Sequence, residues 1–325
     1  MNAEQRILKV EAARFKKGKI LPIVLAVFVL FQFVFFFFVI KLPESAYIDA
    51  RVYITDEATY LAKKAAIEEG TAPSGTKTFV ALYEHVYKDK HHNYGHYSYL
   101  PGLNSYGMHY DMVEAFYNAA SLFHFILLLL SIAIAVYVFS DYSSGGIKNL
   151  LCSRADRDSV YLGKLKSTFA LIIATFCVTM LIGTIFTARY FGRKILTCAG
   201  GRVRETVFAE TFFTNAIAFL ILDAFAATFT AFLTVRYRKS VFSIALPAIL
   251  LLAFGALYFV LRKVNFPHFY RETRALLLSF VPVFRAFFDP NPAFSWQKGL
   301  FYAVDLALGA LMIRRSLQTV RRQEI

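Results

Sequence analysis

The sequence predicts an all-α integral membrane protein with six transmembrane helices. Of its 325 residues, 57% are hydrophobic and the mean hydropathy is +0.49. The apolar residues fall in long runs, and the basic residues gather beside those runs rather than inside them. The chain is too apolar for an ordinary soluble enzyme or a disordered segment, and its 16 glycines carry no fibrous period. Lys and Arg number 36 against 22 Asp and Glu, a net charge of +14. Beside apolar runs, that excess reads as membrane-flanking charge rather than a nucleic-acid surface.

Each element follows from length and charge. A bilayer core about 30 Å thick needs about 20 apolar residues in helix, and in lipid an unpaired backbone group is too costly for any other local structure. Residues 1–19 hold Arg6, Lys9, Arg14, Lys16, Lys17 and Lys19 and read as a basic cytoplasmic segment lying at the interface. Residues 20–40, with Phe35, Phe36, Phe37 and Phe38 in a row, form the first span. That run is too long for a signal peptide and no small-residue cleavage site follows, so it is expected to be retained. Residues 41–118 are an extracellular insertion with a helix near 57–69 and a Tyr, His and Gly-rich stretch over 83–110. The second span is 119–140, through Leu127, Leu128, Leu129 and Leu130, and 141–165 is a cytoplasmic loop. Residues 166–313 hold spans three to six at about 167–188, 207–235, 241–261 with Pro247 as a kink, and 300–313. The apolar run 275–284, broken by Pro282, is too short to cross and makes about 266–297 a re-entrant segment. The tail 314–325, with Arg314, Arg315, Arg321 and Arg322, is cytoplasmic, because Lys and Arg are densest in the segments assigned to that side.

Few residues carry recognisable chemistry. Cys152, Cys177 and Cys198 are too scattered for a zinc site or a disulfide framework. The segment from Gly70 through Gly75 to Lys77 resembles a phosphate loop with one residue too many, and reads as a turn. His85, His91, His92, His96 and His109 lack metal-ligand spacing and suit a solvated surface, so no metal is expected. Charges inside spans are costly. Asp223 and Asp305, with Gln32, His124 and Asn215 as neutral companions, therefore either line a transport path or pair between helices.

The most informative stretch follows the second span. Ser143 and Ser144 are placed to cap a short helix, on which Ile147, Leu150 and Leu151 share one edge while Lys148 and Arg154 supply polar contacts. Such a helix either docks into a groove of a soluble partner or rests on anionic lipid. The string Asp141, Tyr142, Ser144, Gly145, Gly146, Ile147, Lys148, Asn149, Leu150, then Ser153, Arg157, and Tyr161, Leu162, Gly163, Lys164, resembles the permease subunit of type-2 ABC transporters. The likeness is to the exporters of the lantibiotic-immunity and bacitracin-resistance class. The basic segment before the first span, the broken apolar run before the last, and the ending Arg321, Arg322, Gln323, Glu324, Ile325 agree with it.

The resemblance implies a coupling helix at 141–164, with Asp141, Tyr142, Ser144, Gly145, Gly146, Ile147, Lys148, Leu150 and Arg157 meeting a separate cytoplasmic ABC ATPase. It further implies a second permease subunit, identical or paralogous, surrounding membrane lipids, and no nucleic acid. The chain itself would hold no cofactor, ATP and Mg being bound by the partner, and would be no enzyme. The expected activity is export of a peptide, lipid or amphipathic compound across the cell membrane by alternating access or lateral extrusion, with the first, second and fifth spans lining the route. The long insertion and the basic outer loop from Arg189 to Arg204 depart from minimal members of that class. Two other readings stand beside it: an ATP-independent sensor or structural protein using the insertion, and a proton-coupled carrier built on Asp223 and Asp305.

Overall fold

The computed structural model describes residues 3–40, 57–72, 76–77, 80–81, 84, 97–99, 112–148, 156–192, 194–199, 202–263 and 296–322. Its helices are α1 (Ala3–Lys17), α2 (Ile20–Ile40), α3 (Glu57–Glu68), α4 (Met112–Ser144), α5 (Arg157–Thr187), α6 (Phe208–Tyr237), α7 (Ser240–Lys263) and α8 (Trp296–Arg322). Three short strands, β1 (Tyr97–Tyr99), β2 (Lys194–Ala199) and β3 (Arg202–Val207), accompany them. The helical body is as expected, and the three short strands lie outside it.

Four helices among the described residues are long and apolar enough to cross a membrane, where six were expected: Ile20–Phe37, Leu122–Ser144, Arg157–Thr187 and Phe208–Tyr237. The fifth and sixth segments are helices as well, α7 with 24 residues and Pro247 inside it, and α8 with 27 residues whose C-terminal half carries Arg314, Arg315, Arg321 and Arg322. The expected re-entrant segment, about 266–297, lies almost wholly outside the described residues.

Two helices exceed their apolar runs. α4 has 33 residues, about 50 Å at 1.5 Å per residue, so it begins before position 119 and runs past 140 into the expected loop. Gly145 ends it, with φ +78, a conformation glycine adopts without a Cβ penalty. α5 begins at Arg157 rather than near 167; Asp156 caps it by accepting a hydrogen bond from the Ser159 N–H at 3.4 Å.

The helices converge at two ends. At one, Ile7, Leu21, Val138, Phe139, Tyr142, Ile147, Tyr161, Leu165, Val235 and Val320 form a buried cluster. It joins α1 and the start of α2 to the ends of α4, α6 and α8 and the start of α5. At the other, Phe28, Phe36, Phe123, Ile182, Phe208 and Phe212 pack together. The described helices therefore alternate in direction, and α1 and the last turn of α8 lie at the same end. Because lipid tails are as apolar as the side chains, close packing of small residues holds such a bundle; Ser131 and Ala135 of α4 and Ala218, Ala226, Ala227 and Ala231 of α6 are all buried. Hydroxyls at Thr168, Thr187, Thr228, Thr230 and Thr234 each donate to the carbonyl four residues earlier, so no polar atom there needs water.

The sheet belongs to the aromatic end, where β3 leads directly into Phe208. β2 pairs antiparallel with β3, Ala199 opposite Arg202, with Gly-Gly in the sequence between them, a dipeptide suited to a two-residue hairpin connection. β1 pairs parallel with β2, Tyr97 opposite Lys194. The insertion and the loop after α5 thus meet on one side of the bundle.

Candidate functional site

At the end opposite the sheet, the stretch that begins at Asp141 and closes at Lys164 is tied together by charge. Lys164 is fully buried, and its ammonium donates to Glu11 Oε1 at 2.5 Å, Asp141 Oδ2 at 2.6 Å and the Val138 carbonyl at 2.9 Å. All three of its donors are used. Arg14 donates to Asp141 Oδ2 at 2.9 Å and to Ser140 Oγ at 2.6 Å, lies 3.7 Å from Glu11 Oε2, and sits over the Tyr137 ring at 5.1 Å. Two carboxylates and two cations make this knot neutral, which offsets the cost of burying charge. It joins α1, α4 and α5 at one point.

Further contacts clamp the same face. Lys166 pairs with Glu4. Arg321 on α8 grips Asp158 through Nε at 2.8 and 3.0 Å and through Nη2, and Arg157 donates to the Arg321 carbonyl at 3.2 Å. α1 can lie this close because position 163 is glycine: a Cβ there would stand 2.9 Å from Ile7 Cβ and Cγ2.

The expected coupling residues divide into three groups. Asp141, Tyr142 and Ser144 belong to the last turn of α4 rather than to a separate loop, and the Ser143 hydroxyl donates back to Ser140 O instead of capping a new helix. Tyr142 and Ile147 are buried in the core cluster, so Ile147 packs inward and offers no free docking edge. Gly145, Gly146 and Lys148 follow at the surface. Leu150, with Asn149, Leu151, Ser153 and Arg154, lies outside the described residues. Arg157 begins α5. Glu11 and Arg14 were not anticipated, although Glu4, Ile7, Glu11 and Arg14 recur at the three- and four-residue spacing of one helix face.

Of the polar residues singled out within the apolar runs, Gln32, His124, Asp223 and Asp305 are buried. Gln32 donates to Thr179 Oγ1 at 3.0 Å. His124 is stacked on Phe219 at 5.4 Å and tilted against Phe176 at 5.7 Å. Asp223 is fully buried on α6, and Asp305 is buried on α8. Tyr302, one turn before Asp305, packs against the cluster holding Phe219 and Leu222, so the two acids lie at similar depth along the α6–α8 contact. Asn215 is half-buried, one turn before Phe219.

Within the insertion, Tyr60 donates to Glu84 at 2.6 Å, and Lys64 donates to the Tyr60 hydroxyl at 3.1 Å and to Glu84 at 3.3 Å. The Tyr60 and Glu84 contacts, in that order, raise the Lys64 ammonium above its ordinary value. The five histidines lie outside the described residues, as do 73–75 of the phosphate-loop-like segment. No cluster of three or more metal-ligating side chains occurs among the described residues.

No family model matches the chain, and no match was found among curated proteins.

Proposed function

We propose that this chain is the membrane-spanning permease subunit of an ABC transporter in the cell membrane, exporting a peptide, lipid or amphipathic compound with ATP hydrolysed by a separate cytoplasmic subunit. Both termini would then be cytoplasmic, ATP and Mg would be held by the partner, and a second permease subunit would complete the route. This chain would do no covalent chemistry.

The observation that supports the reading is the ion-pair knot. The segment carrying the family resemblance has its two ends, Asp141 and Lys164, in direct contact at 2.6 Å, and both are fastened to α1. A push on that segment would be shared at once by α1, α4 and α5. The remaining link is chemical: Lys148, exposed within the segment, suits an acidic contact on a nucleotide-binding subunit.

The test is purification of the chain from its native membrane in gentle detergent, followed by mass spectrometry of stoichiometric partners. A soluble subunit with a phosphate loop is expected, and its recovery should fall with Lys148→Glu, a change at an exposed position that leaves the core intact. Recovery of the chain alone, or with a signalling protein, would overturn the permease reading in favour of a sensor.

A further inference from the structure

Asp223 is a buried carboxyl with no counter-charge among the described residues. Among the described residues neither of its oxygens has a hydrogen-bond partner. Ser131, which it faces across the α4–α6 seam, sends its one hydroxyl proton to Leu127 O at 3.0 Å. The sequence places no Lys or Arg in 20–40, 112–144, 167–187, 208–235, 240–261 or 299–313. A positive charge for Asp223 has to come from outside these apolar lengths, because an unpaired ionised carboxylate is not sustained there.

The surroundings suit such a guest. Gln32 Oε1 and His124 Nδ1 are also buried without partners among the described residues. A chain of contacts runs from Gln32 to Thr179, thence one turn along α5 to Phe176, across to His124, and on to Phe219, one turn from Asp223. Unpaired acceptors beside aromatic faces make an environment that attracts cations. The titratable side chains on the helices packed against α6 at this depth are His124 of α4, Cys177 of α5, and Tyr302 and Asp305 of α8; the apolar stretch Ser240–Leu250 of α7 has none.

We propose that this layer is a binding site for positive charge centred on Asp223: a proton fills it in the packed bundle, and a lipophilic ammonium or phosphonium displaces that proton when the α4–α6 seam opens. One cation enters as one proton leaves to solvent, so charge balances. This names the substrate class of the proposed permease and rests on that reading, whereas the binding event itself needs no ATPase.

The experiment is equilibrium dialysis of the full chain in detergent against tetraphenylphosphonium, with proton release followed in weakly buffered solution. Saturable binding with about one proton released per cation is expected. Asp223→Asn should weaken it by about 30-fold or more, the effect of removing one partner of a buried charge pair. Asp223→Glu, which keeps the charge and controls for folding, should stay within a few-fold of the parent. No saturable binding by the parent, equal binding by the Asn variant, or binding without proton release would each overturn the site. Intact tetraphenylphosphonium binding with no ATPase partner recovered removes the permease reading alone; the converse removes the cation site alone.

Discussion

Replacing Lys164 with Met probes the knot at its centre. Met keeps much of the side-chain volume but removes three donors, so the packing around Ile7, Val138 and Tyr161 changes less than the electrostatics. Glu11 is 5% exposed and would retain only Arg14 at 3.7 Å, while Asp141, at 21% exposure, keeps its 2.9 Å bond to the same arginine. The cost therefore falls mainly on Glu11. Stranding one buried charge costs about 3–5 kcal/mol, and the surviving Arg14 contact puts the expected loss near the lower figure, about 3 kcal/mol. Adding Glu11→Gln to Lys164→Met removes the stranded charge and should recover about 2 kcal/mol of it. The assay is denaturant unfolding of the four proteins of this cycle in one detergent. Costs that add to within about 0.5 kcal/mol would show that Glu11 and Lys164 do not act as a pair and would refute the knot.

Two other substitutions test the same face by different means. Gly163→Leu would drive a side chain into Ile7, so α1 should lift from α5 and trypsin should cut at Arg6, Lys9 or Lys16 several-fold faster; unchanged cleavage would contradict the close approach, and Ile7→Ala should partly rescue Gly163→Ala. Ile147→Asp buries an unpaired carboxylate in the core cluster and should destabilise the chain by about 2 kcal/mol or more, against less than about 0.5 kcal/mol for the exposed Lys148→Glu. Equal unfolding midpoints for these two variants would place Ile147 at the surface after all.

How much of this was readable beforehand depended on the physical signal each feature leaves. The first span was expected at 20–40, the bounds of α2, because its apolar run stops abruptly at Lys41. α4 and α5 were read short, since hydropathy marks the part of a helix in lipid and is blind to the polar turns 112–118 and 157–166 that continue it. The strand KILTCA, only six residues long, carries no clear alternation, so periodicity alone does not distinguish it from loop. The fifth and sixth segments fall on α7 and α8, and α8 runs on past position 313 through the arginines that mark the tail, since a helix does not end where its apolar run does. Asp223 was singled out because a charge within an apolar run is conspicuous in one dimension. Glu11 was not, because its meaning depends on Lys164, 153 positions away.

The pairing of β1 with β2 bears on any shortened form of the protein. In the order β1-β2-β3, β2 is the inner strand only because the insertion supplies β1. Deleting the insertion would turn β2 into an outer strand, with a row of free N–H and C=O groups beside the bilayer. Such an edge recruits strands from neighbouring molecules. A trimmed chain would thus tend to associate through that end even with every membrane helix intact, and the tendency would disappear if a peptide spanning Tyr97–Tyr99 were supplied in excess.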